Sequence, residues 1–211
     1  MQSFPIGGFL QISAIFWDIG GVLLTNAWDR AQREQALERF KLDEEEFHDR
    51  HEMVVSSLER GKITLDEYLE RTIFYRPRPF TPDDFKRYMF SLSQPQSDVL
   101  EFARQLSNSR KYLMATINNE SMELNLYRIK KFGLREIFTL FVSSCFVGLR
   151  KPEQGIYRLA LEITQKPPGE CCFIDDRVLN LEYARGLGMN TIEMENLGQL
   201  REALGTLGVE G

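Results

Sequence analysis

Short apolar runs punctuate the chain. They are AIFW at Ala14–Trp17 and the segments 112–117, 138–142, 171–174 and 190–192. Each is nearly continuous in apolar character, which suits a strand covered on both faces, as in a parallel sheet. Between these runs the apolar spacing becomes helical. Ser97 is placed to cap a helix over 98–106, and Pro152 leads into GIYRLALEIT. Strand and helix in repeated alternation predict an α/β fold, a doubly wound Rossmann-like parallel sheet.

One interval breaks the rhythm. From 26 to 92 there is no strand pattern, and 27 charged residues crowd the segment. Helix starts are signalled at Asp43, Thr64 and Thr81–Pro82, the last after the Pro77/Pro79 turn. Leu58, Ile63, Leu65, Tyr68 and Leu69 read as packing positions of small helices. The expectation is an all-helical insert over 26–92 in an α/β core formed by 14–25 and 93–211. Residues 1–13 are expected to form an N-terminal extension. The charge reads as solvated helix surface.

Composition sharpens this picture in a few places. A chain of 211 residues exceeds one typical domain and falls short of two, which a core with an insert accounts for. At 43% apolar and 27% charged residues, it is neither disordered nor fibrous. With 26 basic and 31 acidic residues, the net charge of −5 argues against nucleic acid or an anionic membrane as partner. It does not exclude a small anionic ligand in a locally positive pocket. Three cysteines, of which Cys171 and Cys172 are adjacent, form neither a disulfide framework nor a zinc pattern. They read as buried thiols of a protein in a reduced, cytoplasmic setting. No apolar run approaches the roughly 18 residues of a membrane span. The start, MQSFPIGGFLQISAIF, lacks a basic region and is broken by Pro5, Gly7 and Gly8, so it is not expected to be a signal peptide.

In an open α/β sheet, ligands lie beyond the carboxyl ends of the strands. Asp18 follows the first strand, in FWDIGGVL. Asn118 and Asn119 follow the second, in MATINNES. Lys151 and Pro152 come after the third, in GLRKPEQ, and Asp175 and Asp176 after the fourth, in CFIDDR. Three carboxylates, one ammonium and an amide pair thus converge on one edge. Three carboxylates with backbone oxygens make a hard site suited to Mg2+. A carboxylate beside a metal can attack phosphorus and form an aspartyl-phosphate. Gly20 and Gly21 allow a tight turn whose N–H groups, Ile19 and Gly20 included, can hold phosphate oxygens. A lysine shields the nucleophile from a phosphate dianion and offsets charge in the transition state. Singly these signals are weak, since Asp before Gly-Gly is a common turn and Asp-Asp a common N-cap. The ordered set, one element per strand end, carries the inference.

That set resembles the haloacid dehalogenase (HAD) superfamily of aspartate-nucleophile phosphohydrolases. FWDIGGVLL looks like its first motif, MATINNES its second, VGLRKPEQGIY its third and CCFIDDRVLNLEYARGLGM its fourth. The resemblance runs from Ala14 to about Met194. It implies Asp18 as nucleophile and metal ligand, and Lys151 as the phosphate-contacting lysine. It also implies Asp175 and Asp176 as the metal-binding pair. The insert sits where the helical C1 cap of the family sits. LERGKITLDEYL looks like cap sequence of the branch containing the epoxide-hydrolase N-terminal phosphatase domain and a glucose-1-phosphate phosphatase.

Two departures matter. Family phosphatases usually carry a second Asp two residues after the nucleophile, for proton transfer; here it is Gly20, which keeps only a backbone carbonyl as a metal ligand. The usual Ser or Thr of the second motif is Asn118, whose amide can donate to a phosphate oxygen, while Thr116 is expected to lie inside the sheet. The leading expectation is a Mg2+-dependent phosphomonoesterase acting on a small phosphorylated metabolite. The alternatives are a catalytically impaired binding or regulatory module and, less favoured, a 2-haloacid dehalogenase, whose family members also lack the second Asp. Asn180 is a candidate for steadying the Asp pair. His48 and His51, and Arg76 and Arg78, are expected on the surface.

Overall fold

A computed structural model describes residues 11–210. The segment 1–10 and Gly211 lie outside the described residues, and with them most of the expected extension and the Pro5, Gly7 and Gly8 breaks. Five strands form one sheet: β1 (Ala14–Trp17), β2 (Leu113–Asn118), β3 (Leu140–Ser143), β4 (Cys171–Asp175) and β5 (Asn190–Glu193). All pairings are parallel, in the order β3-β2-β1-β4-β5. The central strand is therefore β1, which delivers Asp18 to the middle of the carboxyl edge.

Four helices separate β1 from the rest of the core: α1 (Arg30–Phe40), α2 (Glu44–Glu59), α3 (Leu65–Thr72) and α4 (Pro82–Ser91). The chain continues through α5 (Ser97–Ser109), α6 (Met122–Lys131), α7 (Ser144–Val147), α8 (Gln154–Thr164), α9 (Val178–Arg185) and α10 (Leu197–Thr206). Side chains alternate across each strand. Ile15, Trp17, Met114, Cys172 and Ile174 meet α5 and α10 through Val99, Leu106, Leu200 and Leu204. Ala14, Phe16, Ala115, Ile117 and Phe173 meet α8 and α9 through Ile156, Tyr157, Leu181 and Ala184. Both faces are covered, so the strands read as unbroken apolar runs. Among the described residues no helix is long and apolar enough to cross a membrane.

The helices start where their polar signals lie. Asp43 accepts the Glu46 N–H at 2.8 Å, and Thr64–Glu67 and Thr81–Asp84 form reciprocal capping boxes. Ser97 differs from expectation: it is the first helical residue of α5, behind Gln96, and makes no capping bond. The entry to α5 is instead fixed by Gln96, whose N–H donates to Leu23 O at 3.0 Å and whose Nε2 donates to Gly21 O at 2.9 Å.

α1–α4 bury a separate apolar cluster that includes Leu37, Phe47, Leu58, Leu65, Tyr68, Leu69 and Phe85, with Ile63 only partly covered. The two connections to the core run side by side. Thr25 N donates to Gln94 O at 2.8 Å, and Thr25 Oγ1 donates to Leu92 O at 2.7 Å. Arg128 of α6 grips both, donating from Nε to Ser93 Oγ (3.0 Å) and from Nη2 to Thr25 O (2.8 Å).

Candidate functional site

Asp18 extends β1 by one rung, its N–H donating to Ile174 O at 2.9 Å. The chain then turns tightly: Leu23 and Leu24 both donate to Ile19 O, and Gly21 N donates to Leu24 O at 2.8 Å. Gly21 has a φ of +79°, and a Cβ there would run into the Asp176 carboxylate. Glycine is thus required both by conformation and by space. Asp175 ends β4, and Asp176 follows it across this turn.

One carboxylate oxygen each from Asp18, Asp175 and Asp176 lies within 4.8 Å of the others. Lys151 Nζ sits 2.9 Å from Asp18 Oδ2 and 2.6 Å from Asp175 Oδ2. Asp175 and Lys151 are buried and Asp18 is 8% exposed. Burial pushes Asp18 up to about 7; Lys151 pulls it down and Asp175 raises it further. Asp176 is also raised, first by burial and then by Asp175. Burial opposes the charge on Lys151, yet Asp18 and Asp175 hold its ammonium above the usual range. Three carboxylates outnumber the one ammonium that touches them, with the Arg177 guanidinium a further cation acting on Asp176. Asp176 Oδ1 is buried without a partner. An all-oxygen donor set with a spare lone pair and surplus negative charge fits a hard divalent cation.

Neighbouring amides hold these groups in place. Asn119 clasps the Lys151 backbone, accepting its N–H and donating to its carbonyl, both at 2.8 Å. Asn180 donates Nδ2 to both Asp175 oxygens at 3.0 Å, and Arg177 N donates to Asp175 Oδ1 at 2.8 Å.

Above the carboxylates lies a cavity of about 410 Å³, whose wall includes Asp18, Gly20, Asn119, Lys151 and Asn180. α2 contributes His51, Glu52, Val55, Leu58 and Glu59. Its carboxyl end is docked on the core: Glu59 pairs with Arg150 at 2.8 Å, and Arg60 donates to Gly148 O at 2.8 Å and pairs with Glu153. Gly61 (φ +65°) closes this junction, where a Cβ would strike the Cys145 carbonyl.

Several expectations meet a different placement. Asn118 does not border the cavity; its Nδ2 donates to Asn125 Oδ1 at 3.0 Å and its Oδ1 accepts from Ser143 Oγ at 2.8 Å, so the amide works inside the core. Ile19 N–H does not face a ligand either, because it donates to Asp18 Oδ1 at 2.8 Å. Asp176 joins the carboxylate cluster from behind the turn and is not part of the cavity wall. His51 is not on the surface: it is 3% exposed, since it falls on the stripe of α2 that also buries Phe47 and Leu58. Thr116 lies within the sheet as expected, and Arg76 and Arg78 stay outside the cavity, held by Glu46 and Ile73 O. Cys171 and Cys172 are buried, their thiols pushed up by burial to about 11 and about 12.

The space beside Gly20 is filled by groups that sequence reasoning missed. A Cβ at this position would lie 2.6 Å from Asn26 Oδ1 and 3.5 Å from Arg128 Nη1. Arg128 is itself paired with Glu120 at 3.1 Å, both in the cavity wall. No local pattern marks Asn26, Glu120 or Arg128; for His51 the i, i+4, i+7 spacing of Phe47, His51 and Val54 is a helical signal that could have placed it on the inner face of α2.

A family model described as haloacid dehalogenase-like hydrolase matches residues 12–188. Bifunctional epoxide hydrolase 2 of Sus scrofa is 26% identical over 95% of this chain, which spans 40% of that protein. Flavin mononucleotide hydrolase 1 of Arabidopsis thaliana is 28% identical over 76% of the chain, and the match spans 64% of that protein. A HAD family enzyme of Bacteroides thetaiotaomicron, solved with magnesium and inorganic phosphate, superposes with a TM-score of 0.74 at 23% identity. That superposition covers 90% of this chain and 98% of the other, and shows a shared fold.

Proposed function

The chain belongs to the haloacid dehalogenase-like hydrolases, and from that premise we propose that it is a Mg2+-dependent phosphomonoesterase acting on a small phosphorylated metabolite. The observation that carries this reading is the buried cluster of Asp18, Asp175 and Asp176 with Lys151 Nζ 2.9 Å from Asp18. A metal-independent dehalogenase has no need of the Asp175–Asp176 pair. The magnesium and phosphate bound by the Bacteroides enzyme support the same reading.

Asp18, Asp175, Asp176 and the Gly20 carbonyl would hold Mg2+. When bound, the ion neutralises the surplus carboxylate charge and withdraws electron density from phosphoryl oxygens. Lys151 places a fixed positive charge beside the nucleophile, so a phosphate dianion can approach. One carboxylate oxygen of Asp18 attacks phosphorus, and the bond from phosphorus to the leaving oxygen breaks, giving an aspartyl-phosphate. Water then attacks that phosphorus as its bond to the Asp18 oxygen breaks; one proton of the water stays on the released phosphate, the other passes through solvent to the departed oxygen, and the Asp18 carboxylate is restored. Asn119 and Asn180 act through Lys151 and Asp175 by fixing their positions. Residue 20 offers no proton to the departing oxygen, since its side chain is hydrogen.

A suitable first substrate therefore has a leaving group that needs little protonation, such as p-nitrophenyl phosphate. Purified protein is expected to release phosphate from it with Mg2+ and not with chelator. Asp18→Asn is expected to lower kcat by at least about 10³-fold. Metal-independent halide release from 2-haloacids, or phosphate release unchanged in Asp18→Asn, would overturn the reading.

A further inference from the structure

His51 stands in the cavity wall with a fixed hydrogen-bonding sense. Trp28 Nε1 lies 3.0 Å from Tyr68 Oη, and Tyr68 Oη lies 2.8 Å from His51 Nδ1. An indole N–H can only donate, so Tyr68 Oη accepts from Trp28. Tyr68 is wholly buried, and burial raises its phenol so that the O–H keeps its proton. That proton needs an acceptor, because a buried hydroxyl left unpaired loses its hydration with nothing in return. His51 Nδ1 is that acceptor, so it bears a lone pair. Burial, reinforced by Arg33 and His48, lowers the imidazole to about 3, which keeps the ring neutral. A neutral ring with a lone pair on Nδ1 carries its one proton on Nε2. Nε2 has no protein partner among the described residues, and His51 belongs to the cavity wall. Phe47, stacked on the ring at 5.7 Å with an interplanar angle of 18°, further restrains it.

We propose that His51 is a specificity-determining residue, whose Nε2–H donates to a hydroxyl or carbonyl oxygen on the alcohol part of the substrate. The chain Trp28 → Tyr68 → His51 fixes this polarity before any ligand arrives, so recognition costs no reorganisation of the ring. The reading excludes two other roles. A neutral imidazole holds its Nε2 proton too tightly to act as a general acid, and His51 stands outside the carboxylate cluster that suits a metal. The class of ligand follows: a phosphate monoester of an oxygenated alcohol is favoured over one of a plain alkyl chain. This rests on the reading that the phosphoryl end sits at Asp18 and Lys151.

The first test needs no substrate. The chain has two histidines, so two-bond ¹⁵N–¹H spectra resolve both rings, with His51→Phe giving the assignment. At pH 7 His51 is expected as the Nε2–H tautomer, and in Tyr68→Phe as a mixture of tautomers. An Nδ1–H tautomer or a protonated ring in the unmodified chain overturns the inference. The second test is calorimetric binding, in Mg2+, to Asp18→Asn, which removes the nucleophile. The probes are glycerol 3-phosphate and propyl phosphate, which differ only in two hydroxyls. The oxygenated ester is expected to bind roughly tenfold more tightly, as one added hydrogen bond allows. In the Asp18→Asn background, His51→Phe is expected to bring the two within about threefold, and Tyr68→Phe to lie between. Equal affinities with His51 present, an advantage kept in His51→Phe, or binding of neither ester each overturns it. If p-nitrophenyl phosphate is not hydrolysed while the discrimination holds, the hydrolase reading falls and the His51 contact stands.

Discussion

Gly20 shows how one missing side chain reshapes its surroundings. In the sequence it reads as a lost proton-transfer group that an Asp substitution restores. In the fold the ends of two side chains lie beside Gly20: Asn26 Oδ1 stands 2.6 Å from where a Cβ would be, and Arg128 Nη1 stands 3.5 Å away. Gly20→Asp alone is thus expected to change turnover of p-nitrophenyl phosphate by less than about threefold. Gly20→Asp combined with Asn26→Ala clears the space and is expected to raise kcat for a poor leaving group by about 10²-fold, within the range of general acid–base catalysis. Comparing kcat for an alkyl and an aryl ester in both variants checks this; a full gain from the single substitution would mean that Asn26 does not obstruct. Lys151 lies beyond both β3 and α7, and VGLRKPEQGIY marked it only through its family likeness. Asp18, Asp175 and Asp176 were legible because each stands at a strand end or just past it, where sequence position fixes location. Asn118 stands there too, but position does not tell which way an amide turns. Its partners Asn125 and Ser143 come from α6 and β3, and only the assembled fold shows that they claim it.

At the scale of elements, strands were read to within two residues because both faces are buried and the apolar runs end at or one residue short of the strand ends. Helix starts at Asp43, Thr64 and Thr81 were equally plain, since a cap is a local device. What the pattern left unread was how α2 meets the core. LERG at its carboxyl end was read only as part of the cap-like stretch LERGKITLDEYL. In the fold Glu59 and Arg60 bind Arg150, Gly148 O and Glu153, all flanking Lys151, so the same contacts that seat α1–α4 also shape the cavity. Gly61 makes that approach possible. Gly61→Ala asks alanine to hold a left-handed φ and places its Cβ against a backbone carbonyl that cannot swing aside. A loss of about 2 kcal/mol is expected, read as a lower denaturant midpoint, with KM for p-nitrophenyl phosphate raised more than kcat is lowered. A Gly61→Ala protein as stable as the original would show that α2 and α7 are not packed this closely.

For the whole molecule, the site is a seam between two packed bodies whose cores differ. The sheet buries its two faces under helices, and α1–α4 bury a largely separate cluster, joined to the sheet through paired connections at Thr25 and Gln94 that Arg128 grips. The net charge of −5 gave no hint of this, because bulk charge says nothing about where three carboxylates meet one lysine. Folding brings Asp18, Asp175 and Asp176 together across 158 residues of chain (176 − 18), and burial with mutual repulsion raises Asp18 and Asp176. The assembled site, and not the unfolded chain, offers this donor set, so a bound cation must stabilise the native state. At a Mg2+ concentration about 100 times its Kd the gain is about 2.7 kcal/mol, or roughly 5–10 °C in the unfolding midpoint for a chain of this size. Asp176→Asn removes one ligand charge and part of the repulsion at once. It is expected to unfold at a higher temperature than the original protein in chelator, and to lose most of the Mg2+-dependent rise. Thermal scans of both proteins with Mg2+ and with chelator check the two signs together. A midpoint that ignores Mg2+ in the original protein, or that rises equally in Asp176→Asn, would rule out the three-carboxylate cluster as the cation site.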